Sequence, residues 1–146
     1  MSYQSQALNS YKETRIKTAS QGSLILMLYD EAIKQISNAL VLMPDGKVQA
    51  KDIEKVNSCI IKVQDIVTEL MASLDLAHGG EIASNLLSIY SFFNQQLLEA
   101  NIKKQVQPLI DVKGMMEDLR QAWQQVISTT VVPQKGEVGS SIDVAR

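Results

Sequence analysis

The chain is poor in the residues that most often carry chemistry. It holds one cysteine, Cys59, and one histidine, His78. A lone cysteine cannot form an internal disulfide, so the reading is a reducing, cytoplasmic protein. A metal centre needs several ligands at helical spacing, and a di-iron bundle needs two Glu-x-x-His motifs. Neither pattern occurs, and no glycine-rich phosphate loop, nucleophile elbow or zinc-type spacing does either. No catalytic residue, metal or cofactor is therefore assigned. Phosphotransfer through His78 is the one enzymatic alternative. His78 precedes two glycines at the expected end of a helix, where capping of helical carbonyls is the simpler role.

Other scarcities shape the fold. Seven glycines and three prolines gather at Pro44–Gly46, Gly79-Gly80, Pro108 and the last residues, which suits long helices joined by short loops. No apolar run reaches membrane-spanning length, and the first residues lack the basic-then-apolar pattern of a signal peptide. The formal net charge is -2, with lysine and arginine scattered, so neither nucleic acid nor a membrane is an expected partner. At 146 residues the chain is long enough for one domain with a core of its own.

What is present is helical periodicity. From about Gln21 to Met43, Leu24, Ile25, Leu28, Tyr29, Ala32, Ile33, Ile36, Ala39, Leu40 and Met43 fill one broad sector, with Ser20 as the expected N-cap. Half of that wheel is apolar, more than one packing neighbour requires. A second helix carries Ile53, Val56, Ile60, Val63, Val67, Leu70 and Leu74 at alternating spacings of three and four, flanked by Cys59 and Ile66. It is expected to end at His78-Gly79-Gly80. A third, from about Glu81 to Gln105, has Ile82, Leu86, Ile89, Tyr90, Phe93, Leu97 and Ala100 as its core face. Leu87, Leu98 and Ile102 lie off that face, with Ser91 and Asn94 among them, as a shallow apolar strip with an amide in it. Pro108 suits the first turn of a fourth helix, whose Leu109, Val112, Met116, Leu119, Trp123 and Val126 again step by three and four.

These elements predict an all-α fold, an antiparallel up-down-up-down four-helix bundle with a short N-terminal cap helix. Residues 20–128 form the bundle. Residues 1–19 are a lid segment in which Tyr3, Ala7, Leu8 and Tyr11 share one helical face, and residues 129–146 are a mobile tail. The surplus apolar surface on the first and third helices, with six methionines as adaptable packing, favours a helix or peptide laid in a groove.

The same residues carry a family resemblance. Tyr3 and Tyr11 precede Thr18-Ala19-Ser20-Gln21, and an apolar run from Leu24 ends at Leu28-Tyr29-Asp30-Glu31. Lys62-Val63-Gln64-Asp65-Ile66 and Glu69-Leu70 follow, then Ser73-Leu74-Asp75, Gly79-Gly80-Glu81-Ile82-Ala83-Ser84-Asn85-Leu86 and Leu98-Glu99-Ala100-Asn101. In order and spacing, over about residues 3–128, the chain resembles the FliS family of flagellar export chaperones. Gln21 stands where that family usually has proline, and Glu31 where it has glycine.

The resemblance implies a cytoplasmic helical bundle that binds the disordered C-terminal segment of newly made flagellin. It implies that binding prevents premature polymerisation and keeps flagellin competent for the flagellar type III export gate. The expected flagellin-binding residues are Leu24, Met27, Tyr29, Leu87, Tyr90, Asn94, Leu98 and Ile102, with Tyr3, Ala7, Leu8 and Tyr11 as the lid. The alternative reading is a generic helical adaptor or homo-oligomeric interaction module, and a homodimer is open under either.

Overall fold

The computed structural model describes residues 21–131. Four long helices account for most of them: α1 (Gln21–Val41), α2 (Ile53–Ala72), α3 (Gly80–Lys103) and α4 (Gln107–Val131), with short 3-10 turns at Pro44–Gly46 and Ala50–Asp52. The described residues contain no strand. Each helix packs on two others in a ring: α1 on α2 and α4, and α3 on α2 and α4. Directions follow from cross-contacts. Gly22 of α1 faces Ile127 of α4, and Asp30 of α1 pairs with Arg120 of α4. Numbers rise in one helix as they fall in the other, so these two run antiparallel. Short connections give the same relation to the other neighbours, and the bundle is up-down-up-down.

The turns have identifiable causes. After α1, Asp45 and Gly46 both adopt positive φ, at 59° and 76°, and reverse the chain within a few residues. After α3, Lys104 takes the left-handed conformation and the Gln105 N–H reaches back to the Ala100 carbonyl. Pro108 falls in the first turn of α4, where its missing N–H costs nothing.

The core is built from the expected seams. Leu28, Tyr29, Ala32, Ile36 and Ala39 of α1 meet Val56, Ile60, Val63, Val67 and Leu70 of α2. Leu86, Tyr90, Phe93, Leu97 and Ala100 of α3 and Leu109, Val112 and Met116 of α4 complete it. Each fully buried large side chain contributes roughly 1.5–3 kcal/mol of transfer free energy. Ile66, expected on a flank, is buried and belongs to the core.

Several expectations need correction, and most lie at helix ends. Ile82 is 72% exposed and Val126 is 53% exposed, although both continue a core spacing. Each sits in a terminal portion of its helix, where spacing persists but the neighbours no longer cover it. Ile53, the first residue of α2, is also exposed. The second helix stops at Ala72, earlier than the glycine pair suggests. There the Ser73 N–H and hydroxyl both satisfy terminal carbonyls, the hydroxyl donating to Leu70 O at 2.7 Å. His78 does not cap that helix. Its backbone N–H donates to Asp75 Oδ1 at 3.1 Å in the turn leading to α3. This bond, with the His78 ring beside it, holds the exposed Asp75 carboxyl below its ordinary range. Gly80 does take a positive φ, of 61°, but as the first residue of α3. The fourth helix continues past residue 128 to Val131. The expected N-cap Ser20, the lid segment and the tail after Val131 lie outside the described residues.

Candidate functional site

The expected groove residues separate into distinct environments. Leu24, Tyr29 and Tyr90 are buried in the core. The two tyrosine hydroxyls meet across the centre of the bundle, O to O 2.7 Å, and join the diagonal helices α1 and α3. Burial pushes both phenols above their ordinary value. They stay neutral, so each can donate or accept. The Tyr90 ring also leans on Phe93, with centroids 6.2 Å apart. This pair is a polar bolt through an otherwise apolar interior.

Met27 is half-buried on α1, diagonal to α3, and does not share a surface strip with the α3 candidates. Leu87, Asn94, Leu98 and Ile102 do run together along one flank of α3, at helical spacings of seven, four and four. Leu87 and Asn94 are half-buried, Leu98 is 52% exposed and Ile102 is 71% exposed. The structure shows which neighbour this flank meets. Asn94 Nδ2 donates to Thr68 Oγ1 of α2 at 3.4 Å and points at Met71 Sδ, 4.0 Å away. Leu98 and Ile102 therefore border the seam between α2 and α3.

The α2 side of that seam was not apparent from the sequence. Asn57, Ile61, Asp65 and Thr68 step by four, four and three, so they lie on one flank of α2, the flank that Asn94 touches. Because the helices are antiparallel, Ile61 and Asn57 run in the same direction as Leu98 and Ile102. Ile61 is 41% exposed. A spacing signal existed, but Ile61 stands among polar residues and reads as an isolated surface residue. Together Ile61, Leu98 and Ile102 are three large aliphatic side chains open to solvent along one seam. Scattered exposed aliphatics need no explanation, whereas an aligned set does.

The polar atoms along the seam are unusual. Buried side-chain oxygens without a hydrogen-bond partner among the described residues are Asn57 Oδ1, Asp65 Oδ2 and Asn94 Oδ1, and all three belong to this seam. Burial also raises the Asp65 carboxyl above its ordinary range. Unpaired buried acceptors are costly, about 1–3 kcal/mol each, and a native chain rarely keeps them without reason. The seam thus presents apolar surface at its rim and unpaired acceptors in its wall.

A second exposed set lies on the other side of α3. Phe92, roughly opposite Asn94 around the helix, is partly open to solvent, as are Met115 and Val126 on α4. The Asp30–Arg120 pair closes the α1–α4 face; Arg120 Nη2 also reaches Asp30 Oδ2 at 3.2 Å, and Nη1 donates to Gln124 Oε1 at 2.8 Å. Cys59 is half-buried, and burial pushes its thiol up, away from the reactive thiolate. No group of three or more His, Cys, Asp or Glu side chains among the described residues could hold a metal ion. No helix among them is long and apolar enough to cross a membrane.

A helical bundle with aligned apolar rims and no convergent catalytic side chains in its described residues is, as a class, a protein-binding module. Comparison with known proteins makes the class specific. The profile of the family described as Flagellar protein FliS matches residues 4–130. The flagellar secretion chaperone FliS of Bacillus subtilis is 31% identical over 130 residues, covering 89% of this chain and 92% of its own length. The flagellar secretion chaperone FliS of Salmonella typhimurium is 33% identical over 115 residues, 78% of this chain and 82% of its own. That of Escherichia coli is 29% identical over 113 residues, 77% and 80% respectively. The chain belongs to the FliS family of flagellar secretion chaperones. That role is non-enzymatic, and a flagellar protein is the partner it implies.

Proposed function

We propose that this protein is a cytoplasmic chaperone for flagellin, that it binds flagellin's disordered C-terminal segment, and that it delivers the bound subunit to the flagellar export gate. The observation that carries the reading is the α2–α3 seam. Ile61, Leu98 and Ile102 offer apolar surface beside the half-buried Asn94 amide, and Leu87 extends the same flank. A segment laid there would bury aliphatic surface and supply hydrogen bonds to Asn94. Phe92, Met115 and Val126 allow it to continue around α3. Met27 would be reached only by a segment long enough to pass to the far side of the bundle. Leu24, Tyr29 and Tyr90 would act from the core, by fixing the helices that form the walls.

Covering a sticky segment in this way blocks its polymerisation. The entropy cost of ordering a disordered chain keeps the complex reversible, which suits a chaperone that must release its cargo. Residues 1–19 extend the reading: Tyr3, Ala7, Leu8 and Tyr11 would cover part of the groove until flagellin displaces them. Deleting residues 1–12 then changes flagellin affinity; an unchanged affinity removes the lid from the account. The reading as a whole is tested by amide hydrogen exchange with and without a flagellin C-terminal segment. Protection gained along residues 57–68 and 87–102 is the expected result. Protection confined to the α1–α4 face, or no change at saturating segment, contradicts it.

A further inference from the structure

We propose that Asp65 is a specificity-determining residue of the α2–α3 groove, taking a lysine or arginine side chain carried by the bound segment; the inference rests on the flagellin reading above. The argument starts from an imbalance of donors and acceptors. Along this seam, buried and unpaired side-chain atoms are oxygens only: Asn57 Oδ1, Asp65 Oδ2 and Asn94 Oδ1. Two are neutral amide oxygens, which any backbone N–H can satisfy. Asp65 differs because it carries charge. The ion pairs among described residues leave it out, although Asp30, Asp52, Glu99 and Glu117 all find cations.

Position adds to the case. Asp65 lies one helical turn from Ile61 and one turn from Thr68, the residue that Asn94 touches. Its carboxylate is therefore set beside the open aliphatic rim formed with Leu98 and Ile102. An apolar segment covering that rim would strip remaining water from the carboxylate. A neutral donor would leave a net charge under the segment, whereas a cation compensates it and forms charge-assisted hydrogen bonds. A desolvated, unpaired carboxylate weakens the free protein, so its placement here is explained if the ligand completes the pair. It also discriminates: an equally apolar segment without a cation at that point is rejected by the uncompensated charge.

The test is Asp65→Asn, which keeps the shape and removes the charge, assayed against a purified flagellin C-terminal segment at low and high salt. The variant is expected to bind at least tenfold more weakly, with a shallower salt dependence, while melting at or above the wild-type temperature. Replacing the segment's lysines and arginines one at a time by glutamine should find one whose loss costs wild type heavily and Asp65→Asn little. Binding by Asp65→Asn within twofold of wild type overturns the inference and leaves the flagellin reading standing. A lowered melting temperature also overturns it, since the carboxylate is then structural. Absence of binding by the wild-type protein overturns the flagellin reading, and the inference falls with it.

Discussion

Truncating Leu98 and Ile102 to alanine separates a binding surface from a core, and the magnitudes follow from exposure. Full burial of a leucine or isoleucine is worth roughly 1.5–3 kcal/mol. With Leu98 52% exposed and Ile102 71% exposed, about half and about a third of that worth is already realised in the free protein. Alanine retains part of it, so each substitution should cost less than about 1 kcal/mol of stability. A covering segment would realise the remainder, about 1–2 kcal/mol at each position, which is about five- to thirtyfold in affinity. The double variant should lose roughly the product if the two side chains act independently, and less if they share one contact. Thermal melts give the stability change; titration calorimetry against a flagellin C-terminal segment gives the affinity change. A fall in stability as large as the fall in binding would mean that these side chains serve the core. Undiminished binding would mean that the segment lies elsewhere.

The core offers sharper contrasts. Val63→Asp places an unpaired charge at a fully buried position and should cost several kcal/mol, whereas Leu119→Asp, at a half-buried one, should cost less; equal denaturation midpoints would refute the packing described. Tyr29→Phe removes one partner of the 2.7 Å hydroxyl pair and strands the Tyr90 hydroxyl, for a loss of about 1–3 kcal/mol by chemical denaturation. An unchanged midpoint would mean that Tyr90 is otherwise satisfied. Gly79→Ala would bring a Cβ to 2.6 Å from the Asp75 carbonyl oxygen, so the α2–α3 turn must shift. It should lower the melting temperature more than Gly114→Ala, whose Cβ meets open space and which gains helix propensity.

Spacing carried most of the fold. Val56, Ile60, Val63, Val67 and Leu70 are buried because residues three and four apart share a helix face, and that pattern needs no tertiary information. It misled at Ile82 and Val126, where the pattern outlasts the neighbours that would cover it. It was also silent on partners. Periodicity turned Tyr29 and Tyr90 inward but could not say that their hydroxyls meet across the diagonal. The groove was half legible. The α3 strip broke a polar face with Leu98 and Ile102, a visible anomaly. Asn57 and Asp65 sit among polar residues and read as solvated; only packing against α3 reveals buried acceptors without partners. The breadth of the apolar sector on α1 is explained by two packed neighbours, α2 and α4, rather than by a surface for a ligand.

The central claim is that a groove on this bundle holds the C-terminal segment of flagellin, and titration calorimetry addresses it directly. Monomeric flagellin and flagellin lacking its C-terminal segment are each titrated into the full-length protein at several temperatures. The account predicts saturable binding of intact flagellin, a negative heat-capacity change from buried apolar surface, and no binding of the truncated form. Equal binding of both forms, or binding of neither, would contradict it.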